Sequence, residues 1–509
     1  MKLNRVITSL LIVGTSIHVL AQSKYPIEVE NALKQTTNRP ELEKALNHFY
    51  NTNDKMMISS INFLIANMPI HLSYNYYWVD EKQTRIPFDE SKFASFKDAV
   101  TALENIKRKY GKIFPVPFSY RDIDSIKASS LIENVELACK SYNSNNNLGT
   151  SEKNFLEYIL PYRTTIEPIE NWRKVYTAKF AGLINNKTPL DSQVSSIGKN
   201  IRSWFTNTYK IETRNEPLPR LGALQLINRK KGACEDIANL AVFMARSQGY
   251  EATVDFVPAW ATASGVHFLN YLKISPKVKP HYDAADGYVL DTLAREPGKV
   301  FRTTYSVQYE TVAYQLHGDT SQIPNNFMRQ QNYKDVTDEY WQTSNVNVSL
   351  FKSPFKQTVA YISVWNYARW VPVWFGNIQS DSRTTFSRMG KGAVYLPLYY
   401  KNGKMIPAGW PVINGYYSTQ VLQPDLFNTH TIRLIEDSRY LAFRAGKKYK
   451  LFYWNSKWIP LGEQIAGNKT FELVFDKVPM NALLLLLPEY TQGKDRPFII
   501  SEKGERFWF

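Results

Sequence analysis

The chain has 509 residues, more than one ordinary core can organise, and at usual domain sizes it divides into roughly three or four domains. Hydrophobic residues make up 44% and charged residues 21%, which excludes disorder as the main state, and two cysteines cannot staple a scaffold of this size. The formal net charge of +16 would suit nucleic acid, but Lys and Arg are scattered and no zinc-finger, RRM or KH pattern appears, so no nucleic acid is expected as a partner.

Lys2 and Arg5 precede an apolar stretch from Ile7 to Leu20, and Val19-Leu20-Ala21 gives a small-residue ending before Gln22. The stretch is shorter than the roughly 20 residues needed to span a bilayer. Residues 1–21 are therefore expected to be an export signal, leaving no stable membrane span after processing and a periplasmic or extracellular location. Outside the cell a basic surface can meet acidic glycans, cell-wall polymers or anionic membrane faces. A solvated surface with no cognate partner is the simpler account of the charge.

From Asn31 to Ser144 apolar residues recur at three- and four-residue spacing, which predicts helices over Glu41 to Tyr50, Lys55 to Ala66, Ser91 to Tyr110 and Ser129 to Tyr142. Asn67-Met68-Pro69 and Gly111 to Pro117 punctuate them. Cys139 shares a stripe with Ile132 and Val135, as a buried small hydrophobe would. The run Asn143 to Asn147 is a boundary candidate, so residues 22–150 are assigned to a helical N-terminal region. Residues 151–310 mix helices with later strands. Beyond Thr311 short alternating strands and turn dipeptides such as Asn402-Gly403 and Asn414-Gly415 predict β-sandwich modules over 345–437 and 438–509. Leu483 to Leu487 fits a doubly buried strand. Trp365, Asn366, Tyr367, Trp370 and Trp374 could form a sugar-stacking platform, although strand aromatics more often fill a sandwich core.

The chemistry concentrates after Lys230-Lys231-Gly232-Ala233-Cys234-Glu235-Asp236. Ile237, Leu240, Ala241 and Met244 fall on one helical face, and Gly249 stops the helix, so Cys234 stands at a helix N-terminus. The helix dipole there favours an anion, hence a thiolate, although Glu235 and Asp236 partly oppose it. A nucleophile also needs a base, and the base needs an orienting group. His267 opens a predicted strand 33 residues on, and Asp283 lies in a third strand-like stretch, where it could fix the imidazole tautomer.

Gly232-Ala233-Cys234-Glu235-Asp236, the helix end Arg246-Ser247-Gln248-Gly249-Tyr250, Val257-Pro258-Ala259-Trp260, His267 and Asp283 together resemble the transglutaminase-like superfamily of papain-fold thiol enzymes. Tyr158 to Arg163, Glu167, Trp172-Arg173 and Lys299-Val300-Phe301-Arg302 are similar to large secreted members of that superfamily from Bacteroidetes. The resemblance implies Cys234 as nucleophile, His267 as general base and then acid, and Asp283 as the orienter. It departs from the common His-Ala-Trp pattern, since Phe268 and Leu269 follow His267. Asp286 is the rival of Asp283, and His281 the weaker rival of His267. The Cys234 backbone N–H would be one oxyanion donor. Gln225 and Trp204 are both candidates for the second. Trp260 is the candidate substrate-binding residue, with a core tryptophan as its alternative. Arg163 or Trp172 could belong to a contact that plugs the site.

The resulting expectation is an α+β multidomain protein with a helical N-terminal region, a papain/transglutaminase-like core and C-terminal β-sandwich modules. Its favoured activity is acyl chemistry on a peptide, protein or cell-wall amide through a Cys234 thioester, with hydrolysis ahead of cross-linking. The alternative is a catalytically inactive surface or periplasmic protein that binds glycan or protein. A glycan is the further partner class that the aromatics allow. No metal-ligand spacing or phosphate loop is present, and no cofactor is expected.

Overall fold

The computed structural model describes residues 24–509 apart from 94, 145–148, 184–189, 209–220, 275–278, 355 and 438. The expected export signal at 1–21 lies outside these residues, as do residues 145–147 of the expected boundary loop. The architecture is α+β with a β-rich C-terminal region. Among the described residues no helix is long and apolar enough to cross a membrane.

The N-terminal region forms helices Arg39–Tyr50, Lys55–Asn67, Phe96–Tyr110 and Ala128–Ser144, close to the predicted spans. Its core joins Leu42, Leu46 and Phe49 to Leu64, Leu131, Val135 and the buried Cys139. Burial pushes the Cys139 thiol up to about 11. The region is not wholly helical, which corrects the expectation. Leu72–Asp80 and Ile113–Arg121 pair antiparallel, with Arg85–Ile86 on the other side. Pro115 and Pro117 imitate a break, but they sit on the edge strand, where a missing N–H leaves no gap inside the sheet.

The middle of the chain is built on helix Cys234–Ser247. Its apolar side chains are buried all round, which makes it a central rather than a surface helix. Strands Glu251–Val257 and His267–Lys273 pack against it, as do helices Arg173–Lys179 and Ala128–Ser144. The two strands belong to a six-stranded sheet that also contains His281–Asp283, Tyr288–Val289, Phe301–Thr303 and Tyr333–Asp335. The sheet thus runs past residue 310, where the sequence-based core ended.

Residues 158–173 strap this core to the N-terminal region. Arg173 donates to Asn134 Oδ1 at 2.6 Å and to the carbonyls of Ile159, Leu160, Pro161 and Arg246. Arg163 pairs with the buried Asp122, whose carboxylate also accepts from Ser73 and Tyr162, both at 2.7 Å. Trp172 donates its indole N–H to the Tyr162 carbonyl. Arg163 and Trp172 are therefore spent on a structural joint, not on plugging a thiol.

In the C-terminal region, Thr343–Ser349 pairs with Arg383–Gly390, and a six-stranded sheet runs beside that ladder over a shared core. Trp365, Trp370 and Trp374 belong to this core and are buried, so they present no stacking platform. Asp425–Ile435 pairs with Glu472–Met480, so the second β module takes in chain from Asp425 rather than from 438. Leu484–Pro488 is an inner strand of its five-stranded sheet.

Candidate active site

Cys234 is the first residue of its helix, and two local features place it there. The Asp236 carboxylate reaches back to accept the Ala233 N–H at 2.8 Å, which satisfies one orphan donor of the first turn. Gly232 leaves the room this needs: a Cβ on it would lie 2.5 Å from Asp236 Oδ2. Just upstream, Lys231–Gly232 pairs in parallel with Thr206–Asn207, anchoring the approach to the helix. The cysteine itself is half-buried.

His267 begins the strand beside this helix. Asn270, three residues on, donates its amide to the Ala238 carbonyl at 2.9 Å and locks strand to helix. The register that sets Asn270 opposite Tyr282 puts Asp283 across from Leu269, diagonal to His267 on the same face. His267 Nε2 bonds Asp283 Oδ2 at 2.7 Å. The other carboxylate oxygen accepts the backbone N–H groups of Ala285 and Asp286 at 3.0 and 3.1 Å, so the turn holds Asp283 still. Asp286 contributes that backbone N–H and does not displace Asp283.

Cys234 acts on the same imidazole. Since Asp283 engages Nε2, Nδ1 is the ring nitrogen left for a second partner. Burial opposes an imidazolium here, but the bonds to Asp283 and Cys234 outweigh it and raise the His267 pKa to about 10. The Asp283 side chain is buried, while that of His267 is 23% exposed. The site is therefore reachable from solvent at its imidazole and held from beneath at its carboxylate.

Trp260 stacks near His267, with ring centroids 6.0 Å apart at 28°, and is buried in a core cluster with Val257, Leu269 and Leu290. His281 is engaged elsewhere, at 3.1 Å from Glu339. Gln225 accepts the Gly222 N–H at 2.8 Å, capping the helix before the cysteine, and the Trp204 indole donates to Asn200 at 3.0 Å. Neither points to an oxyanion role. Lys299 and Arg302 are buried partners of Asp335 and Asp255 and hold the sheet. Among the described residues no group of His, Cys, Asp and Glu side chains is arranged to hold a metal ion.

Sequence reasoning missed Asn366 and Arg496, which reach the loop before His267 from the β modules. Asn366 stood inside the aromatic run, where only the rings drew notice. Comparison with known families bears on the same stretch: the transglutaminase-like superfamily core matches residues 183–280. The chain carries a transglutaminase-like superfamily domain. Cys234 and His267 lie within the match, and Asp283 falls three residues past the end of the match at 280. No curated protein matches the chain. The helix Cys234–Ser247 and the strands Glu251–Val257 and His267–Lys273 all fall inside the match. The N-terminal and C-terminal regions lie outside the matched span.

Proposed function

We propose that the chain is an exported thiol enzyme that cleaves an amide through a Cys234 thioester. The observation that carries this reading is the His267 imidazole, bonded through Nε2 to Asp283 and influenced by Cys234 at the helix start. In the first step Cys234 sulfur attacks the carbonyl carbon, and the imidazolium of His267 gives its proton to the leaving amine nitrogen as the C–N bond breaks. In the second, water attacks the thioester, His267 takes the water's proton, and the thiolate leaves with the carboxylic acid formed. Asp283 keeps the ring in one tautomer and stabilises its charged form. As a first-turn residue Cys234 has a backbone N–H without an intrahelical acceptor, a donor suited to the developing oxyanion.

Water is the proposed acceptor, in preference to a primary amine, and a peptide, protein or cell-wall amide the proposed substrate class. Export is supported by the charged, apolar and small-residue order of Met1 to Ala21. N-terminal sequencing of the native product tests it, with a start near Gln22 expected and an intact Met1 on a cytosolic product the contrary result.

Alkylation tests the thiol. Iodoacetamide at a pH of about 6.5 is expected to label Cys234 much faster than the buried Cys139, and His267→Ala to slow that labelling. Cys139→Ser should leave it intact. If Cys234 reacts no faster than a model thiol in folded protein, the enzyme reading falls and the inactive binding protein replaces it. Offering a primary amine with a candidate acyl donor then separates hydrolysis from transfer, by whether free acid or amide forms.

A further inference from the structure

The loop Pro258 to Val266 joins the two central strands and delivers His267 to the site, yet little within it fixes its shape. Trp260 N–H bonds the Gly265 carbonyl at 3.1 Å, and Ala261 N–H bonds the Glu296 carbonyl at 3.1 Å. Gly265 has φ +110°, a conformation that L side chains rarely adopt. Thr262 Oγ1 donates to Glu296 Oε2 at 2.5 Å and Trp260 bridges to Pro297, and further restraint comes from another module. Asn366 ends the strand Val359–Asn366, at a hairpin tip where Tyr367 and Ala368 both take positive φ. It is 3% exposed. Its Oδ1 accepts the Gly265 N–H at 3.1 Å, and its Nδ2 donates to the carbonyls of Trp260 and Ala263 at 3.1 Å and of Gly265 at 2.9 Å. One buried amide therefore closes both ends of the turn whose first residue stacks on His267 and whose last lies two residues before it.

A second tether runs beside the first. Arg496, in the last module, is buried. It donates to the Ala261 carbonyl, to the Trp365 carbonyl at 2.6 Å and to the Phe509 backbone oxygen at 2.5 Å. Both β modules thus bind the backbone of this loop.

We propose that Asn366 is a positioning residue for His267, with Arg496 as its support, so that the thiol site is assembled jointly by the transglutaminase-like core and the two β modules. Asn366 touches no reacting atom. It sets where Trp260 and His267 stand relative to Cys234 and Asp283, and it makes activity depend on the β modules being docked. The inference builds on the proposed thiol chemistry but has a readout independent of it.

The test uses the full chain carrying Asn366→Asp, which keeps the shape and an acceptor for Gly265 N–H but removes the donors to the three carbonyls. Arg496→Lys is the second variant. Cys234 labelling and amide turnover are expected to fall about 10²-fold in Asn366→Asp, in kcat rather than KM, because small misplacements of reacting groups cost about that much. Arg496→Lys should lose less. In parallel, the 15N resonance of His267 Nε2–H, which reports the Asp283 bond whether or not the enzyme turns over, should shift or broaden. A folded Asn366→Asp protein with wild-type labelling and an unmoved His267 resonance overturns the proposal. Should that variant not fold, Arg496→Lys decides by the same two readouts. A wild-type Cys234 that is unreactive, combined with a His267 resonance that moves in Asn366→Asp, sinks the thiol-enzyme reading and leaves the positioning role standing.

Discussion

The Asp236 carboxylate fills the space beside Gly232 that any larger residue would need, and from there it caps the helix that begins with Cys234. Gly232 has an ordinary backbone conformation, so the restriction is one of room. Gly232→Ala is expected to push Asp236 off the Ala233 N–H and to cost about 1–3 kcal/mol, the usual range for overpacking. Urea unfolding would measure it. Asp236→Ala alone should cost about 1 kcal/mol as a lost cap. The double variant should cost less than the two single costs added together, because both lose the same cap, although the Asp236 Cβ contact at 2.5 Å survives in alanine.

Asp283 raises the affinity of His267 for its proton, and this has a sign that kinetics can read. Below about 10 the imidazolium persists beside Cys234, and it is lost as pH rises through that value. Turnover should therefore show an alkaline limb set by His267. Asp283→Asn removes a charge and a hydrogen-bond acceptor for the charged ring. The limb should then move toward neutral pH, with kcat down about 10²-fold or more. A pH–rate profile of the variant on any amide the wild type cleaves is the measurement. Stability has the same sign: the His267 contribution is fully present below its unfolded pKa near 6.5 and disappears through about 10.

Much of this site was legible because its signals are local. A glycine before a cysteine at the start of an apolar 3.6-residue period marks the helix end, and alternation marks the strand of His267. Asp283 is readable from spacing since neighbouring antiparallel strands bring diagonal residues together. What stayed hidden was non-local. Asn366 and Arg496 act on a loop about a hundred and more than two hundred residues earlier in the chain, and no periodicity links them. The strand Ile113–Arg121 was concealed by Pro115 and Pro117, which read as breakers unless an edge position is known. Asp425–Ile435 looked like the end of the first β module because its partner, Glu472–Met480, lies further along the chain.

The buried Arg163–Asp122 pair gives a stability prediction separate from the chemistry. Both side chains are almost fully buried, and Ser73 and Tyr162 satisfy the rest of the carboxylate. Asp122→Ala leaves the guanidinium buried without its counter-charge, which is expected to cost about 3–5 kcal/mol. Burial works against the Asp122 carboxylate, but Arg163 and the hydrogen bonds hold its pKa below the usual range. Its contribution is thus present above the unfolded value near 3.8 and is lost as pH falls through the lower folded value. Denaturant midpoints at pH 7 and in strong acid would show the variant's deficit shrinking in acid.

His71 supplies the acid sensitivity expected at milder pH. Its ring is buried against Tyr305, at a centroid distance of 4.3 Å, and Nε2 meets the Tyr305 carbonyl at 2.8 Å. Burial first, then the nearby Arg163, lowers its pKa to about 4. The unfolded chain therefore binds a proton near pH 6.5 that the folded chain refuses until about 4. Stability should fall as pH drops across that window, by about 3 kcal/mol if the whole shift is expressed. Glu170 acts in the opposite sense over an overlapping range, since burial raises its pKa to about 7 and folding then favours its protonated form. The wild-type curve alone mixes the two. Comparing it with His71→Gln isolates the histidine, because the amide can still donate to Tyr305 but does not titrate. Urea midpoints of the two proteins should differ by a constant above pH 7 and converge or cross as pH falls from 6.5 to 4. A pH-independent difference across that window would mean that His71 is protonated in the fold, contrary to its burial beside Arg163.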